Sequence, residues 1–306
     1  MTDSPPVKQR RRDSYKYYIL KQKIVPYMFL LPNLLIFGLF IITPAIIGIY
    51  FSFTLFRGLG DTPVFNGLDN YRTLFGDQGF RDAMRNTIFL VAATLPIVFF
   101  SSLMLALLLA QPLRAKAFWR ATYYWPVMIS FIVVGLIWQW ILRDSRGLLN
   151  GLVVTLGFER LQTLLNPRFA WWSVVFVFTW SRAGYYMIMF LAALLSVPVS
   201  LYEAAEIDGA NRLQRFLYVT YPVLKPARTM VFILAAMEIF KIYPLVVSFT
   251  AGGPFRATVF TVQYIYETAF QYRQVGLASA MSVIMILFVM VFSGVNMYLA
   301  KRGGEV

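Results

Sequence analysis

The 306-residue chain contains no histidine and no cysteine. The commonest general base and metal ligand is therefore missing, and so are thiolate chemistry and a disulfide framework. No Gly-x-x-x-x-Gly-Lys-Ser/Thr run occurs, so no sequence motif cradles nucleotide phosphates. The remaining candidates for chemistry are charges set inside apolar stretches. Arg182 lies near the middle of one such stretch. A charge at membrane depth is costly and must face protein or water. At helical spacing Phe178, Arg182, Tyr185 and Met189 share a face with Trp171 and Val175. Aromatic rings offer stacking surfaces, and a guanidinium offers a fork for hydroxyls or an anionic group. Two readings follow. Either this face lines a solute path, or Arg182 pairs with Glu238 and the aromatics pack against neighbouring helices. Glu238 and Lys241 are three apart and can meet on one helix face. They read as a self-neutralised pair near a membrane boundary or as solute contacts, with Lys241 able to snorkel.

The longest polar interruption in the C-terminal half is Leu201 to Pro226. Ser200 with Glu203, and Asn211 with Gln214, have capping-box spacing. Gly209 stands between them, where a helix commonly ends in a left-handed residue. The stretch therefore reads as helix, sharp turn, helix. Leu201, Ala204, Ala205 and Asp208 share a face of the first helix, where the two alanines permit close approach. Leu213, Phe216, Leu217 and Thr220 share a face of the second.

These segments need elements to hold them, and composition says which. The chain is 59% apolar and 14% charged, against ~25% charged in soluble domains. Several apolar runs exceed the ~20 residues that cross a bilayer as a helix. The fold class is all-α integral membrane protein. Six transmembrane helices are expected at about 27–55, 86–110, 121–142, 169–197, 229–248 and 276–300, within one membrane domain over 27–300. Pro32, Pro44 and Pro244 are kink positions. Tyr71, Leu74 and Phe75 suit a short helix on the membrane surface. Asn33 and Gln139 suit inter-helix hydrogen bonds.

Residues 1–26 form a basic tail, too far from a signal-peptide pattern to be one. The tail is either an orientation anchor or a contact with anionic membrane lipid. Residues 301–306 form a second short tail. Basic residues number 16 on the side that holds both tails and the 198–226 loop, and 10, offset by seven carboxylates, on the other. The positive-inside rule then makes both termini cytoplasmic. The net charge of +14 does not point to nucleic acid, because the basic residues lie beside apolar spans.

The polar loop also carries a resemblance. Glu203-Ala204-Ala205, three residues, Gly209, nine residues, then Val219-Thr220-Tyr221-Pro222 resembles the EAA loop of permease subunits in bacterial ABC importers, most closely the maltose and glycerol-3-phosphate type of the carbohydrate-uptake branch. Val219 stands where that pattern has Ile, and Tyr221 where it has Leu. Asn70-Tyr71 through Asn86-Thr87 resembles the lead into the second span of such subunits. Gly252-Gly253-Pro254 and Tyr264 to Ala280 resemble the last outer loop and span. The likeness covers most of residues 27–300.

This resemblance implies a type I ABC importer permease fold in the bacterial cytoplasmic (inner) membrane. It implies an EAA loop whose coupling helix seats in a groove on a separate ATPase, a helix-in-groove contact. Glu203 would anchor it, Ala204 and Ala205 would permit close approach, Gly209 would allow the turn, and Asp208 and Pro222 would belong to the same loop. Implied partners are a second homologous permease, two ATPase subunits and an extracytoplasmic solute-binding protein. ATP and magnesium would sit on the ATPase, leaving this chain no cofactor and no enzymatic role. The implied solute is a sugar or sugar-like molecule. Import of an anionic relative, such as glycerol-3-phosphate or an acidic sugar, is one alternative. An ion-coupled secondary carrier is another, weakened because Glu238 is the one good intramembrane carboxylate.

Overall fold

Apolar length sets the spans, while capping residues and prolines set where each helix begins and breaks. The computed structural model describes residue 22 and residues 25–302. The basic tail expected over 1–26 and the tail expected over 301–306 lie almost wholly outside the described residues.

Helix α1 (Val25–Phe51) is interrupted by a π-turn at Gly38–Ile42, just before Pro44. Proline has no N–H to offer the preceding turn, and the backbone widens there. A two-residue hairpin pairs Thr54 with Phe65 and Leu55 with Val64. α2 (Asp69–Gly76) forms where a short helix was expected, with Leu74 fully buried in the protein and Phe75 exposed. α3 (Gln78–Ala110) starts eight residues before the predicted span, because the Asp77 side chain accepts from Phe80 N and caps it. α7 (Pro167–Leu195) follows an Asn166 cap with proline at its first position. The last helix, α14 (Val275–Arg302), closes the chain.

The predicted third span is broken. α4 (Lys116–Tyr124) and a 3-10 turn at Trp125–Met128 meet α5 (Phe131–Leu142) at 99°. Pro126 removes a backbone donor, Ile129 is extended, and the Ser130 hydroxyl caps α5 through Val133 N. The fifth span is also bent, by 48°, between α11 (Lys225–Phe240) and α12 (Tyr243–Phe249), with Pro244 in the first turn of α12. Among the described residues, four helices have spanning length, or up to six spans if each bent pair counts as one.

The core sits where α3 and α7 pack along their lengths and α11 crosses α3. Leu90, Val98, Val174, Phe178, Phe190 and Ile239 are fully buried there. Phe99 meets Phe190 edge to face at 5.3 Å. α12 packs on α5, and Gly135 permits it: a Cβ there would lie 2.9 Å from the Leu245 carbonyl oxygen. α1 is different. None of its spanning window is buried. A helix apolar all round and unburied belongs in lipid or against another chain.

Candidate functional site

Three places along the bundle draw together the residues singled out from sequence. The first is the loop at the end of α7. α8 (Val199–Ile207) begins after Pro198 with no side-chain cap, so the Ser200–Glu203 capping box is not formed and both residues lie inside the helix. Proline has already fixed the backbone angle at the start. Gly209 follows with φ of +77°, the left-handed turn. α9 (Arg212–Arg215) opens with the Asn211–Gln214 capping box in full, at 2.9 and 2.8 Å. A π-turn at Phe216–Thr220 then precedes α10 (Tyr221–Val223), where Pro222 withholds its N–H.

Two contacts make the loop one body. Tyr202 and Thr220 hydroxyls lie 3.0 Å apart, and Arg215 pairs with Glu206 at 3.4 Å. Arg228 stacks 3.7 Å from the Tyr221 ring. No residue of α8 is buried. Glu203, Ala204, Asp208, Gly209 and Pro222 are exposed, and Ala205 is half-buried. Ile207, at the tip, is 87% exposed. Glu203 has no ion pair or hydrogen-bond partner among the described residues.

The second place is the middle of α7. Arg182 Nε lies 3.1 Å from Glu238 Oε2 on α11. Its N–H is not aimed along that line, so the contact is an ion pair without a well-formed hydrogen bond. The guanidinium carbon lies over the Phe131 ring, 3.9 Å from its centroid, and Nη1 donates to the Val127 carbonyl at 3.5 Å. Tyr186 Oη donates to the same Glu238 oxygen at 2.8 Å. Phe178 is fully buried and stacks on Phe131 at 5.9 Å, behind the arginine. Tyr185 is 37% exposed and Met189 half-buried. Thus Arg182 and Glu238 are brought together, Phe178 supports from the core, Tyr185 packs edge to face on Tyr186, and Met189 packs on the hydrophobic core. Lys241 stands apart. Its backbone N–H donates to the Glu238 carbonyl, while its side chain borders an apolar groove with Met237 and Met285.

Phe131 and Tyr186 were not picked out from sequence. Tyr186 sits four residues after Arg182, a spacing visible in the chain. Phe131 comes from the far side of the α4–α5 break, and no local signal links it to Arg182.

The third place is the far end of the bundle, away from α8. Here the two resembling segments meet. Asn70 Nδ2 donates to the Ser52 and Thr54 carbonyls at 3.0 and 2.8 Å and pins the hairpin. Asn86 Nδ2 donates to the Val259 carbonyl at 3.2 Å, and the Thr87 and Thr261 hydroxyls lie 2.9 Å apart. Tyr264, on α13 (Thr261–Tyr266), donates to Asp77 at 3.0 Å. Burial, and then the Asp77 carboxylate, push the Tyr264 phenol up to about 12. Arg256 Nη2 reaches Glu267 at 2.9 Å.

A bundle of membrane-length helices with an exposed helix–turn–helix loop at one end defines a multi-pass membrane protein. The comparisons say which kind. Residues 87–303 match the family of binding-protein-dependent transport system inner membrane components. A probable starch degradation products transport system permease protein of Thermoanaerobacterium thermosulfurigenes is 33% identical over 94% of this chain and 97% of its own length. The diacetylchitobiose uptake system permease protein of Streptomyces coelicolor is also 33% identical, over 89% and 81%. An sn-glycerol-3-phosphate transport system permease protein of Escherichia coli is 29% identical over 91% and 94%. In fold, the chain superposes on a solved bacterial ABC transporter that imports alginate, with TM-score 0.81 at 24% identity over 94% of this chain and 99% of that one. The chain belongs to the binding-protein-dependent transport inner membrane component family. It is a permease subunit of an ABC importer.

Proposed function

We propose that the chain forms half of the translocation path of a sugar importer in a bacterial cytoplasmic membrane. It crosses the membrane six times, each bent pair counting once, with both termini and the α8–α9 loop in the cytoplasm. A second permease completes the path. Two ATPase subunits, which hold ATP and magnesium, seat on the coupling loops of the two permeases, and a binding protein delivers the solute at the far end. The observation that carries this reading is the family match over 87–303 together with a Glu203-Ala204-Ala205 turn in which Glu203 and Ala204 are exposed and Glu203 has no hydrogen-bond or ion-pair partner among the described residues. Closure of the ATPase pair would move α8 as one body with the α7 end, a rigid-body switch between inward- and outward-open states. The relatives named for starch degradation products and for diacetylchitobiose, each 33% identical against 29% for the one named for sn-glycerol-3-phosphate, favour a sugar over a phosphorylated solute.

The path runs beside Tyr185, Met189 and Arg182. Arg182 is already spoken for by Glu238 and Phe131, so its role is to hold the polar wall. The test is co-purification from the native host with a C-terminal tag. Wild type should bring down an ATPase and a second multi-span subunit. A Glu203→Arg, Gly209→Pro double variant should lose the ATPase and keep the permease. Recovery of the chain alone, with the variant unchanged, would overturn the reading.

A further inference from the structure

A cavity of about 890 Å³ opens at the far end of the bundle. It lies between the first turns of α3, the first turns of α7 and the 255–259 segment. Small-molecule sites typically occupy ~300–1,000 Å³. One wall is Trp171 and Trp172, edge to face at 5.1 Å. The facing wall carries Asp82 and Arg85, one helical turn apart on α3. Neither makes an ion pair or a hydrogen bond among the described residues. Arg85 rests 5.5 Å from the Phe89 ring. The roof is fixed by Asn86 holding the Val259 carbonyl and by Arg256 paired with Glu267.

The wall chemistry selects a ligand class. Tryptophan faces accept the apolar C–H faces of a pyranose ring. A carboxylate accepts from hydroxyls, and a guanidinium donates to them. Within the lining Asp82 offsets Arg85, and Arg256 is already paired with Glu267 behind the wall. A ring dense in hydroxyls and without charge uses the acceptor and both donors, whereas an anionic ligand would also meet the Asp82 carboxylate. Trp171 and Arg182 lie eleven residues apart on the same face of α7, ~16 Å along the axis at 1.5 Å per residue. The cavity therefore stands above the Arg182 wall, on the side from which solute would arrive.

We propose that this cavity is an outer subsite for a neutral saccharide, with Trp171 and Trp172 as the stacking platform and Asp82 and Arg85 as the hydroxyl clamp. The proposal rests on the sugar-import reading and adds where, and in what charge state, the sugar is first held by the permease. The test uses the complete transporter in lipid nanodiscs without its binding protein. Radiolabelled maltotriose, N,N′-diacetylchitobiose and trigalacturonate are the probes, read by equilibrium dialysis. At least one neutral probe should bind saturably. Trp172→Ala should weaken it about tenfold, Trp172→Phe should restore most of the affinity, and Asp82→Asn should weaken it several-fold. Binding of trigalacturonate alone, binding of no neutral probe, or affinity indifferent to Trp172→Ala and Asp82→Asn would each overturn the subsite. ATP-driven uptake into proteoliposomes carrying the binding protein tests the import reading separately. Uptake that persists with unchanged KM in Trp172→Ala removes the subsite and leaves the importer.

Discussion

At the scale of single residues, charge pairing decides what each side chain can do. Arg182 would be an attractive solute ligand if it were free, but Glu238 neutralises it and Phe131 covers its face. Removing one member of such a pair leaves a poorly solvated charge, at ~3–5 kcal/mol for a fully buried pair. The Glu238 side chain is 35% exposed, so Glu238→Gln should cost about 2 kcal/mol, below that fully buried range. The Arg182→Met, Glu238→Gln double variant should recover part of the loss. Thermal unfolding of all three in detergent closes the cycle, and simple additivity would show that the pair is not coupled. The Tyr264–Asp77 bond at the far end makes a second case. Tyr264→Phe removes a hydrogen bond to a carboxylate and should cost about 1.5–3 kcal/mol at neutral pH. The fold raises the phenol from 10.0 to about 12, which favours its neutral form. Its stabilising contribution is complete below pH 10 and is lost as pH rises through 12. The gap between wild type and variant should therefore narrow over that window. A gap constant to pH 12 would contradict the assignment.

At the scale of elements, close backbone approach holds the broken span in place. A Cβ on Gly184 of α7 would run into the Tyr123 carbonyl, where α4 passes into its 3-10 turn. A Cβ on Gly294 of α14 meets nothing within 4 Å. Gly184→Ala should destabilise by about 2–3 kcal/mol through overpacking against backbone. Gly294→Ala should be neutral or gain about 0.5–1 kcal/mol from helix propensity. Equal unfolding temperatures for the two variants would show that the α4–α7 contact does not constrain the fold. Gly209→Ala belongs to the same scale. Its φ of +77° costs an L-residue about 1–2 kcal/mol, and the strain falls on the turn that presents α8. Transport should drop while amounts of assembled complex stay near wild type.

How far the chain could be read in advance follows from the same physics. Span existence was legible because apolar length is a property of one segment alone. The helix–turn–helix shape of the 198–226 loop was legible because the Asn211–Gln214 cap and the Gly209 turn are local, while the expected Ser200–Glu203 cap did not form because Pro198 starts the helix earlier. The 99° break was not, since Trp125 and Pro126 look like ordinary interface residues until Ser130 is seen to cap a new helix. The early start of α3 was missed because Gln78 to Asn86 is polar, and only the Asp77 cap shows it to be helical. The Phe131–Arg182–Glu238–Tyr186 cluster is assembled from three helices, and no single stretch contains it.

At the scale of the whole molecule, orientation follows from the chain's charge distribution and ties the two ends to opposite compartments. α7 runs from the Trp171–Trp172 cavity to α8, so whichever side holds one, the membrane separates it from the other. In the orientation proposed from the positive-inside count, α8 lies in the cytoplasm. The chain has no native cysteine, so single cysteines report position without background. Leu59→Cys, beside the small hairpin, and Gly157→Cys, after α6 (Leu148–Thr155), should react with a membrane-impermeant maleimide added to intact spheroplasts. Asn211→Cys and Leu213→Cys, on the coupling loop, should react only after permeabilisation, and more slowly when the ATPase is bound. Leu59 is wholly exposed and Leu213 is 65% exposed, so unequal labelling would reflect side rather than burial. Labelling of Leu213→Cys in intact cells would invert the molecule. It would move the α8–α9 loop to the compartment that holds no ATP, and the coupling role would fall with it. Labelling of Leu59→Cys and Gly157→Cys on opposite sides would instead mean that the α4–α5 pair does not cross as one span. The 99° break would then be a re-entrant turn, and the two ends of the chain would lie in different compartments.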